Sequence, residues 1–142
     1  MIDLHTHSLF SDGTDTPTQL INKAHAAGLS GIALTDHDTT AGWQEAADHL
    51  RPGMSLILGS EISCQTDDGI SVHMLGLLFD PREPELAEMM ANTRENRIGR
   101  MARIISRLTG AGYEITMEEV EEQLSPGATL GRPHLADALV AK

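Results

Sequence analysis

The sequence predicts an α/β fold for residues 1–82 and a helical subdomain for residues 83–142. Short apolar segments of strand character alternate with amphipathic helical segments in the first region, an order typical of parallel sheets or barrels with helices packed outside. Histidine and acidic side chains follow several of these strands, at the C-terminal strand edge where such folds have their active and ligand-binding sites. After Pro81 the pattern changes to a long amphipathic helix. With 142 residues, 40% of them hydrophobic, the chain can bury one core of ordinary size.

Strand and helix signals alternate along the first region. In order, the predicted elements are a strand at residues 1–7, a helix at residues 17–27, a strand at residues 31–36, a helix at residues 41–50, a strand at residues 54–61 and a returning strand at residues 70–78. The first helix has Thr16 as its expected N-cap, Pro17 in its first turn and Gly28 as its stop. An Asp-Asp-Gly turn at residues 67–69 separates the last two strands.

The second region is predicted to be helical. A long amphipathic helix begins near Pro84 and ends before Gly110. Thr116 and Glu119 have the spacing of a capping box, which predicts a short second helix. A last short helix is predicted to follow the Gly-Arg-Pro-His segment at residues 131–134.

Six side chains, most of them on predicted strands or in the loops that follow, could bind a metal: His5, His7, Asp12, His37, Glu61 and His73. His5 and His7 are two residues apart on a strand, so both side chains project from the same face. Imidazole and carboxylate ligands without a thiolate disfavour a structural zinc finger and indicate a catalytic divalent ion. His25 and His49 lie inside predicted amphipathic helices, and we assign them structural or surface roles.

Three polar side chains near these residues are open to interpretation. Asp36 and Asp38 flank His37 and could accept hydrogen bonds from the ligand imidazoles. Asp38 could equally cap the helix that follows. Cys64 is the only cysteine, which excludes an internal disulfide and fits a reducing compartment; we expect it to be a small buried side chain.

Several short motifs resemble those of a known family. They are Asp-Leu-His-Thr-His-Ser at residues 3–8, Ser-Asp-Gly-Thr at residues 11–14, Thr-Asp-His-Asp-Thr at residues 35–39, Gly-Ser-Glu-Ile-Ser around Glu61 and His-Met-Leu-Gly beginning at His73. Together they resemble the PHP (polymerase and histidinol phosphatase) family of phosphoesterases. The resemblance implies the N-terminal part of a distorted seven-stranded (βα) TIM-like barrel with a helical insertion.

The resemblance also implies how two or three divalent ions would be shared. His5, His7 and Glu61 would hold one ion, Glu61 would bridge to a second ion held by His73, and Asp12 with His37 would serve a third. Manganese is the expected metal, with iron, zinc and magnesium as alternatives. No catalytic side chain beyond the metal ligands is implied.

The family has further ligands in its C-terminal half, a histidine in an Ala-His-Pro segment and a late Asp-x-His pair, and neither motif occurs in this sequence. A closed barrel of this type needs about 250 residues. We therefore expect this chain to be the N-terminal half of a longer phosphoesterase, with little activity by itself.

Arginines supply a candidate binding site for a phosphate. Successive residues of the long helix are rotated by about 100° around its axis. This rotation turns Arg100, Arg103 and Arg107 to solvent. It places Arg94, with Arg97 on its flank, in an apolar sector that also contains Ile98, Met101 and Ile105. We expect Arg94 and Arg97 to face a substrate phosphate, because a buried guanidinium needs an anionic partner. A salt bridge to the acidic helix at residues 118–122 is the alternative. Arg132 and His134 resemble a segment of the PHP subgroup that acts on nucleotides and RNA 5′ ends, which implies further substrate contacts.

The expected function is hydrolysis of phosphate from a nucleotide such as a 3′,5′-bisphosphate, or trimming of RNA 5′ ends, through metal-activated water. A histidinol-phosphate phosphatase and a noncatalytic metal-binding PHP module are the alternatives. A cytoplasmic protein without an obligate protein partner is expected, since no apolar run approaches a membrane span of about 20 residues and no signal peptide is recognisable. The net charge of −11 would repel nucleic acid as a whole, although bound cations reduce that repulsion.

Overall fold

Four strands and five helices make up the computed structural model, which describes all 142 residues. In chain order the elements are β1 (Ile2–Thr6), α1 (Pro17–Ala26), β2 (Gly31–Leu34), α2 (Trp43–Asp48), β3 (Ser55–Gln65), β4 (Ser71–Leu77), α3 (Pro84–Gly110), α4 (Met117–Glu121) and α5 (Arg132–Val140). The strands form one sheet in sequence order, in which β1, β2 and β3 are parallel and β4 is antiparallel to β3. The predicted α/β class is confirmed.

Two predicted elements differ in length from the observed ones. Strand β3 continues past Glu61 to Gln65, because its second half pairs with β4 from the Gly59–Leu77 pair to the Gln65–Ser71 pair. Helix α2 is shorter than residues 41–50 and begins after Gly42, which offers no side chain to cap it. The long hairpin therefore carries the second half of β3 beyond the parallel part of the sheet.

The predicted caps are confirmed. Thr16 accepts a hydrogen bond from the backbone N–H of Gln19, whose side chain accepts one from the Thr16 N–H. Thr116 and Glu119 form the same reciprocal pair at the start of α4. Each box satisfies backbone donors that the first turn of a helix leaves free.

Two hydrophobic clusters hold the fold together. The first packs α1 and α2 against the sheet and consists of Ile21, Ala24, Ile32, Leu34, Trp43, Ala46 and Met54. The second lies among α3, α4 and α5 and consists of Met101, Ile115, Val120, Leu130, Leu135 and Ala138. One cluster thus lies in each of the two regions expected from the sequence, while the boundary between them stays a prediction.

The structure also bears on the predicted burial of Cys64 and on the predicted lack of a membrane span. Cys64 is half-buried rather than buried, because it lies near the end of the hairpin, and its thiol donates to the Ile62 carbonyl at 3.6 Å. None of the helices is both long and apolar enough to cross a membrane.

Candidate metal centre

All six predicted ligands converge at one edge of the sheet. His5 lies on β1 and His7 follows it, while His37 follows β2 and forms an isolated bridge with Glu61 of β3. The antiparallel strand β4 brings His73 back across the same edge. Three groups of side chains have ligand atoms within 4.8 Å of one another: His5, His7 and Glu61; His7, Asp12 and His37; and His37, Glu61 and His73.

Glu61 lies at the centre of this arrangement and is 7% exposed. Its Oε2 atom lies 2.9 Å from His5 Nε2 and 3.0 Å from His7 Nε2, and its Oε1 atom lies 2.7 Å from His73 Nδ1. Burial raises the pKa of Glu61, but the hydrogen bonds from His5 and His73 and the charge of His37 outweigh burial and hold the pKa below its ordinary value. The carboxylate is thus ionised near neutral pH, and Glu61 belongs to two of the three groups of possible metal ligands.

A second carboxylate, Asp12, pairs with His37. Asp12 Oδ2 lies 3.4 Å from His37 Nε2, and the hydrogen bond to His37 lowers the pKa of Asp12 to about 2. Burial lowers the pKa of His37, but the hydrogen bond and charge of Asp12 outweigh it, so this pKa is raised. Burial, together with the charge of His37, lowers the pKa of His7.

The residues present fit one or more divalent ions. The donor set combines imidazole nitrogen with carboxylate oxygen, which suits Mn²⁺, Fe²⁺ and Zn²⁺. His37 Nδ1 is buried without a hydrogen-bond partner, although buried polar atoms are nearly always paired. Ligand atoms at right angles around an ion about 2.1 Å away lie about 3 Å apart, and the Glu61 contacts of 2.9 and 3.0 Å match that separation.

The expected roles of Asp36 and Asp38 are wrong. Neither carboxylate contacts an imidazole, and Asp38 does not cap α2, which begins after Gly42. Asp36 accepts hydrogen bonds from the Ser8 N–H, the Ser8 hydroxyl and the Ser11 hydroxyl, each at 2.7 Å. Both carboxylates are buried, and Asp38 has a positive φ of 52°.

Asp38 is instead the partner of Arg97. The Asp38 carboxylate is fully buried and accepts from Arg97 Nε at 3.1 Å and Nη2 at 2.9 Å, as well as from the Ser63 N–H and hydroxyl. Arg94 Nη1 donates to the Asp38 carbonyl oxygen. The buried arginine therefore has a carboxylate partner, as the alternative interpretation required, but that partner is Asp38 and not the acidic helix at residues 118–122.

A polar cavity of about 300 Å³ opens beside the candidate metal ligands. Its walls include Asp12, His37 and His73 from the metal centre and three arginines, Arg97, Arg100 and Arg132. Arg100 is exposed, as the helical periodicity predicted, but it also borders this cavity, which depends on how α3 lies against the sheet. Burial, together with the charges of Arg97, Arg132 and Arg103, lowers the pKa of Arg100, as expected where cations crowd together.

Two of the predicted substrate contacts lie elsewhere. Arg94 borders a separate cavity of about 360 Å³ between α3 and residues 127–130. His134 is buried, and its Nδ1 accepts a hydrogen bond from the Gly131 N–H at 3.0 Å, so it caps its own helix. Ile98, expected on the buried face of α3, is 51% exposed beside the cavity that Arg94 borders.

Three curated proteins share this sequence pattern over nearly its whole length. The phosphoribosyl 1,2-cyclic phosphate 1,2-diphosphodiesterase of Eggerthella lenta is 37% identical over 142 residues, which are 99% of this chain and 54% of that protein. The 3′,5′-nucleoside bisphosphate phosphatase of Chromobacterium violaceum is 38% identical and matches 98% of this chain and 49% of its own length. The 5′-3′ exoribonuclease of Haemophilus influenzae is 40% identical, with coverages of 99% and 47%.

A solved structure and a family model agree with these matches. The crystal structure of a protein from Bifidobacterium adolescentis, assigned as a metal-dependent phosphoesterase, is 46% identical, with a TM-score of 0.91 over 99% of this chain and 49% of that chain. The chain therefore spans about half the length of the proteins it matches. The PHP domain model matches residues 3–129. Both the predicted resemblance and the predicted fold are confirmed, and the chain belongs to the PHP domain family.

Proposed function

We propose that this chain carries part of the active site of a metal-dependent phosphoesterase that acts on a phosphorylated nucleotide or on the 5′ end of RNA. One observation supports the proposal above the others. Three members of the convergent ligand cluster, Asp12, His37 and His73, border the same cavity as three arginines, so metal ligands and anion-binding groups face a common space. The relatives named above act on phosphate esters of three kinds, which agrees with the reaction class.

The metal-binding residues in this proposal are His5, His7, Asp12, His37, Glu61 and His73. Glu61 has both oxygens engaged, Oε2 with His5 and His7 and Oε1 with His73, so it can contribute to two sites. Bound divalent ions would lower the pKa of water and neutralise phosphate oxygens. Manganese is the metal we propose first; iron, zinc and magnesium are the alternatives for the same nitrogen and oxygen donors.

The arginines would bind and orient the substrate phosphate. Arg97 uses Nε and Nη2 for Asp38 and Ser63, which leaves the two Nη1 hydrogens without a partner in a residue that borders the cavity. Arg100 of α3 and Arg132 at the start of α5 line the same cavity. Planar guanidinium groups bind phosphate through paired hydrogen bonds, so the three arginines suit a doubly charged phosphate.

Arg94 and His134 stay in the proposal as substrate contacts outside this cavity. Arg94 would reach a more distant part of the substrate through the neighbouring cavity that it borders. His134 has its Nδ1 occupied by Gly131, so only its Nε2 is free to contact a ligand. In this proposal residues 1–82 supply the metal ligands and residues 83–142 supply the phosphate-binding groups.

Phosphate release by the protein from its complete reading frame tests the proposal. With Mn²⁺ present, we expect release from adenosine 3′,5′-bisphosphate or shortening of a 5′-phosphorylated RNA oligonucleotide, and loss of either activity when the metal is chelated. Arg132→Ala should lower kcat/KM by about a hundredfold or more, because a charge-assisted contact to the phosphate is removed. Arg107→Ala, on the exposed side of α3, is the matched control.

The same assay separates the alternatives. Hydrolysis of histidinol phosphate but of neither nucleotide substrate, with no effect of Arg132→Ala, would overturn the proposal in favour of a histidinol-phosphate phosphatase. Hydrolysis of phosphoribosyl 1,2-cyclic phosphate alone would keep the reaction class but replace the substrate. Mn²⁺ binding without turnover of any of these esters would favour a noncatalytic module.

A further inference from the structure

The cavity of about 360 Å³ between α3 and residues 127–130, here called the α3 cavity, differs in chemistry from the polar cavity beside the metal ligands. The two cavities share no lining residue, yet they are close along the chain. Arg94 borders the α3 cavity and Arg97, about one helical turn later, borders the polar one. Pockets for small organic ligands begin at about 300 Å³, so the α3 cavity has room for a ring system.

Apolar side chains from two sides line the α3 cavity. Ala91 and Ile98 belong to α3, whereas Ala128 and Leu130 belong to the segment before α5. Ile98 is 51% exposed, although it is a large apolar side chain. No hydrophobic side chain lines the polar cavity. A ligand that covered Ile98 would remove apolar surface from water, so the α3 cavity favours a ligand with apolar faces.

The charged side chains at the α3 cavity argue against a second phosphate there. Arg94 is its one cation, and Glu95 and Glu121 are two anions, so the charges sum to −1. These carboxylates would repel a phosphate dianion but can accept hydrogen bonds from N–H groups. The exocyclic amines of adenine and cytosine are donors of this kind on a flat ring.

Two polar groups of the cavity lining lack partners. Arg94 makes one hydrogen bond in the protein, from Nη1 to the Asp38 carbonyl oxygen, so the hydrogens on its Nη2 and Nε are free. Thr129 is 2% exposed, and its hydroxyl is buried without a hydrogen-bond partner. Buried polar atoms are nearly always paired, and a change of rotamer can turn this hydroxyl to a new partner. The ring nitrogens and carbonyl oxygens of a base are acceptors that suit both groups.

We propose that the α3 cavity binds a nucleobase. The flat faces of the base lie against the aliphatic side chains, and its polar edge meets Arg94, Thr129 and the carboxylates. The base belongs either to the substrate nucleotide or to a free nucleoside. The first source rests on the proposed function and extends it, whereas the binding of a base does not depend on metal or turnover.

Titration with adenosine, which has a base but no phosphate, tests the cavity directly. The metal-free protein from the complete reading frame is titrated and followed by saturation-transfer NMR. We expect a dissociation constant of about 1 mM or tighter, as for a small ligand with few contacts. Ala91→Leu puts a larger side chain into the cavity and should weaken adenosine binding by about tenfold or more.

Ala102→Leu is the matched control, because it makes the same change at an exposed position of α3 that borders none of these cavities. Alanine and leucine are both strong helix formers, so both variants keep the helix. Ala102→Leu should bind adenosine like the wild type. Equal adenosine affinities in Ala91→Leu and Ala102→Leu, or no binding by the wild type, would overturn the proposal.

Thr129→Val separates a ligand contact from a structural role. The hydroxyl has no partner in the free protein, so its removal should leave the free energy of unfolding undiminished. Adenosine affinity should fall by about three- to tenfold, as expected for one lost hydrogen bond. A lower stability with unchanged adenosine affinity would contradict a contact between Thr129 and the base.

Hydrolysis of two bisphosphates distinguishes the two sources of the base. The substrates are adenosine 3′,5′-bisphosphate and 1-deoxyribose 3,5-bisphosphate, which lacks the base. If the cavity holds the base of the substrate, kcat/KM should favour the nucleotide by about tenfold or more, and Ala91→Leu should abolish this preference. Adenosine binding without any such preference would assign the cavity to a free nucleoside. Adenosine binding without hydrolysis of either bisphosphate would contradict the proposed function and leave the base site in place.

Discussion

Glu61 is the side chain that holds the candidate metal centre together, because its two oxygens contact His5, His7 and His73. Glu61→Gln removes the negative charge and replaces one acceptor oxygen by an NH₂ donor. We expect Mn²⁺ affinity and phosphate release to fall by about a hundredfold or more. Isothermal titration and the phosphate assay measure the two effects.

The matched control for that substitution is Glu88→Gln, which makes the same chemical change at an exposed position of α3. It should leave both quantities unchanged. Equal losses in Glu88→Gln and Glu61→Gln, or full Mn²⁺ affinity in Glu61→Gln, would contradict a central role for Glu61.

The pairing of Asp12 with His37 predicts how metal binding depends on pH. A histidine must be neutral to bind an ion, so a bound proton competes with the metal. Burial lowers the pKa of His37, but Asp12 outweighs burial and raises it above 6.5. As the pH is lowered, Mn²⁺ affinity should therefore begin to fall while the pH is still above 6.5. Metal binding near that pH should release a proton from His37. The pKa of Asp12, at about 2, keeps this carboxylate ionised throughout that range, so Asp12 adds no pH dependence of its own.

Titration calorimetry between about pH 5.5 and 8.5, in buffers of different ionisation enthalpy, measures this proton release. Asp12→Asn should move the onset of the decline to lower pH, because the charge that raises the pKa of His37 is gone. An affinity independent of pH, or an onset unchanged by Asp12→Asn, would contradict the prediction.

Sequence position predicted which histidines and carboxylates come together at the sheet edge, but it did not predict the contacts of the side chains behind them; their role as metal ligands stays a prediction. His5 and His7 were recognisable because a strand has a period of two, and His37 because it ends a buried strand. Asp36 and Asp38 have the same local setting as His37, yet they point into the protein toward Ser11 and Arg97. Which way a side chain points at a strand end depends on the turn of the backbone, and Asp38 is one of two non-glycine residues with a positive φ, of 52°.

At the scale of elements, one ion pair fastens α3 to the sheet edge. Arg97 is 8% exposed and Asp38 is fully buried, and their contact joins the long helix to the segment that follows β2. Removing one partner of a buried pair leaves an uncompensated charge. Arg97→Ala should therefore lower the free energy of unfolding by about 3 kcal/mol or more.

A double-mutant cycle measured by urea unfolding tests this pair. Asp38→Asn alone should also destabilise, whereas the double variant should lose less than the sum of the two single losses, because neither charge is then left alone. The exposed Asp80–Arg82 pair is the control, and its cycle should show little coupling. Additive losses for Asp38 and Arg97 would contradict the anchoring role.

Helical periodicity explains why the arginines were only partly predicted. The period placed Arg97 on the flank of an inward face, and the structure buries it. The period gives the direction in which a side chain leaves the helix, but it does not identify the residue that this side chain contacts. Asp38, 59 residues earlier in the sequence, could therefore not be identified as the partner of Arg97. The period could not predict that Arg100 borders the cavity either, because the packing of α3 against the sheet decides which exposed side chains face the metal centre.

For the whole molecule, the polar cavity lies between groups from both predicted regions. The walls combine His37 and His73 from the sheet edge with Arg97 from α3 and Arg132 from α5. Each region has its own hydrophobic cluster, so the fold leaves the polar groups at the junction. Strand and helix alternation predicted the sheet because those signals are local, whereas the junction depends on contacts between residues far apart in sequence.

The two outer strands of the sheet carry the last prediction. Strands β1 and β4 are the edges of the order β1-β2-β3-β4, and several of their apolar side chains are exposed, among them Ile2 at 56%, Leu4 at 47% and Met74 at 56%. Unpaired edge strands with apolar side chains favour association with other chains. We expect a polypeptide of these 142 residues to associate at micromolar concentration, as measured by size-exclusion chromatography with light scattering. The Leu4→Lys/Met74→Lys variant should shift the distribution toward monomer, because a charge at each edge opposes pairing. A monodisperse wild-type monomer over that concentration range would show that these edges do not drive association.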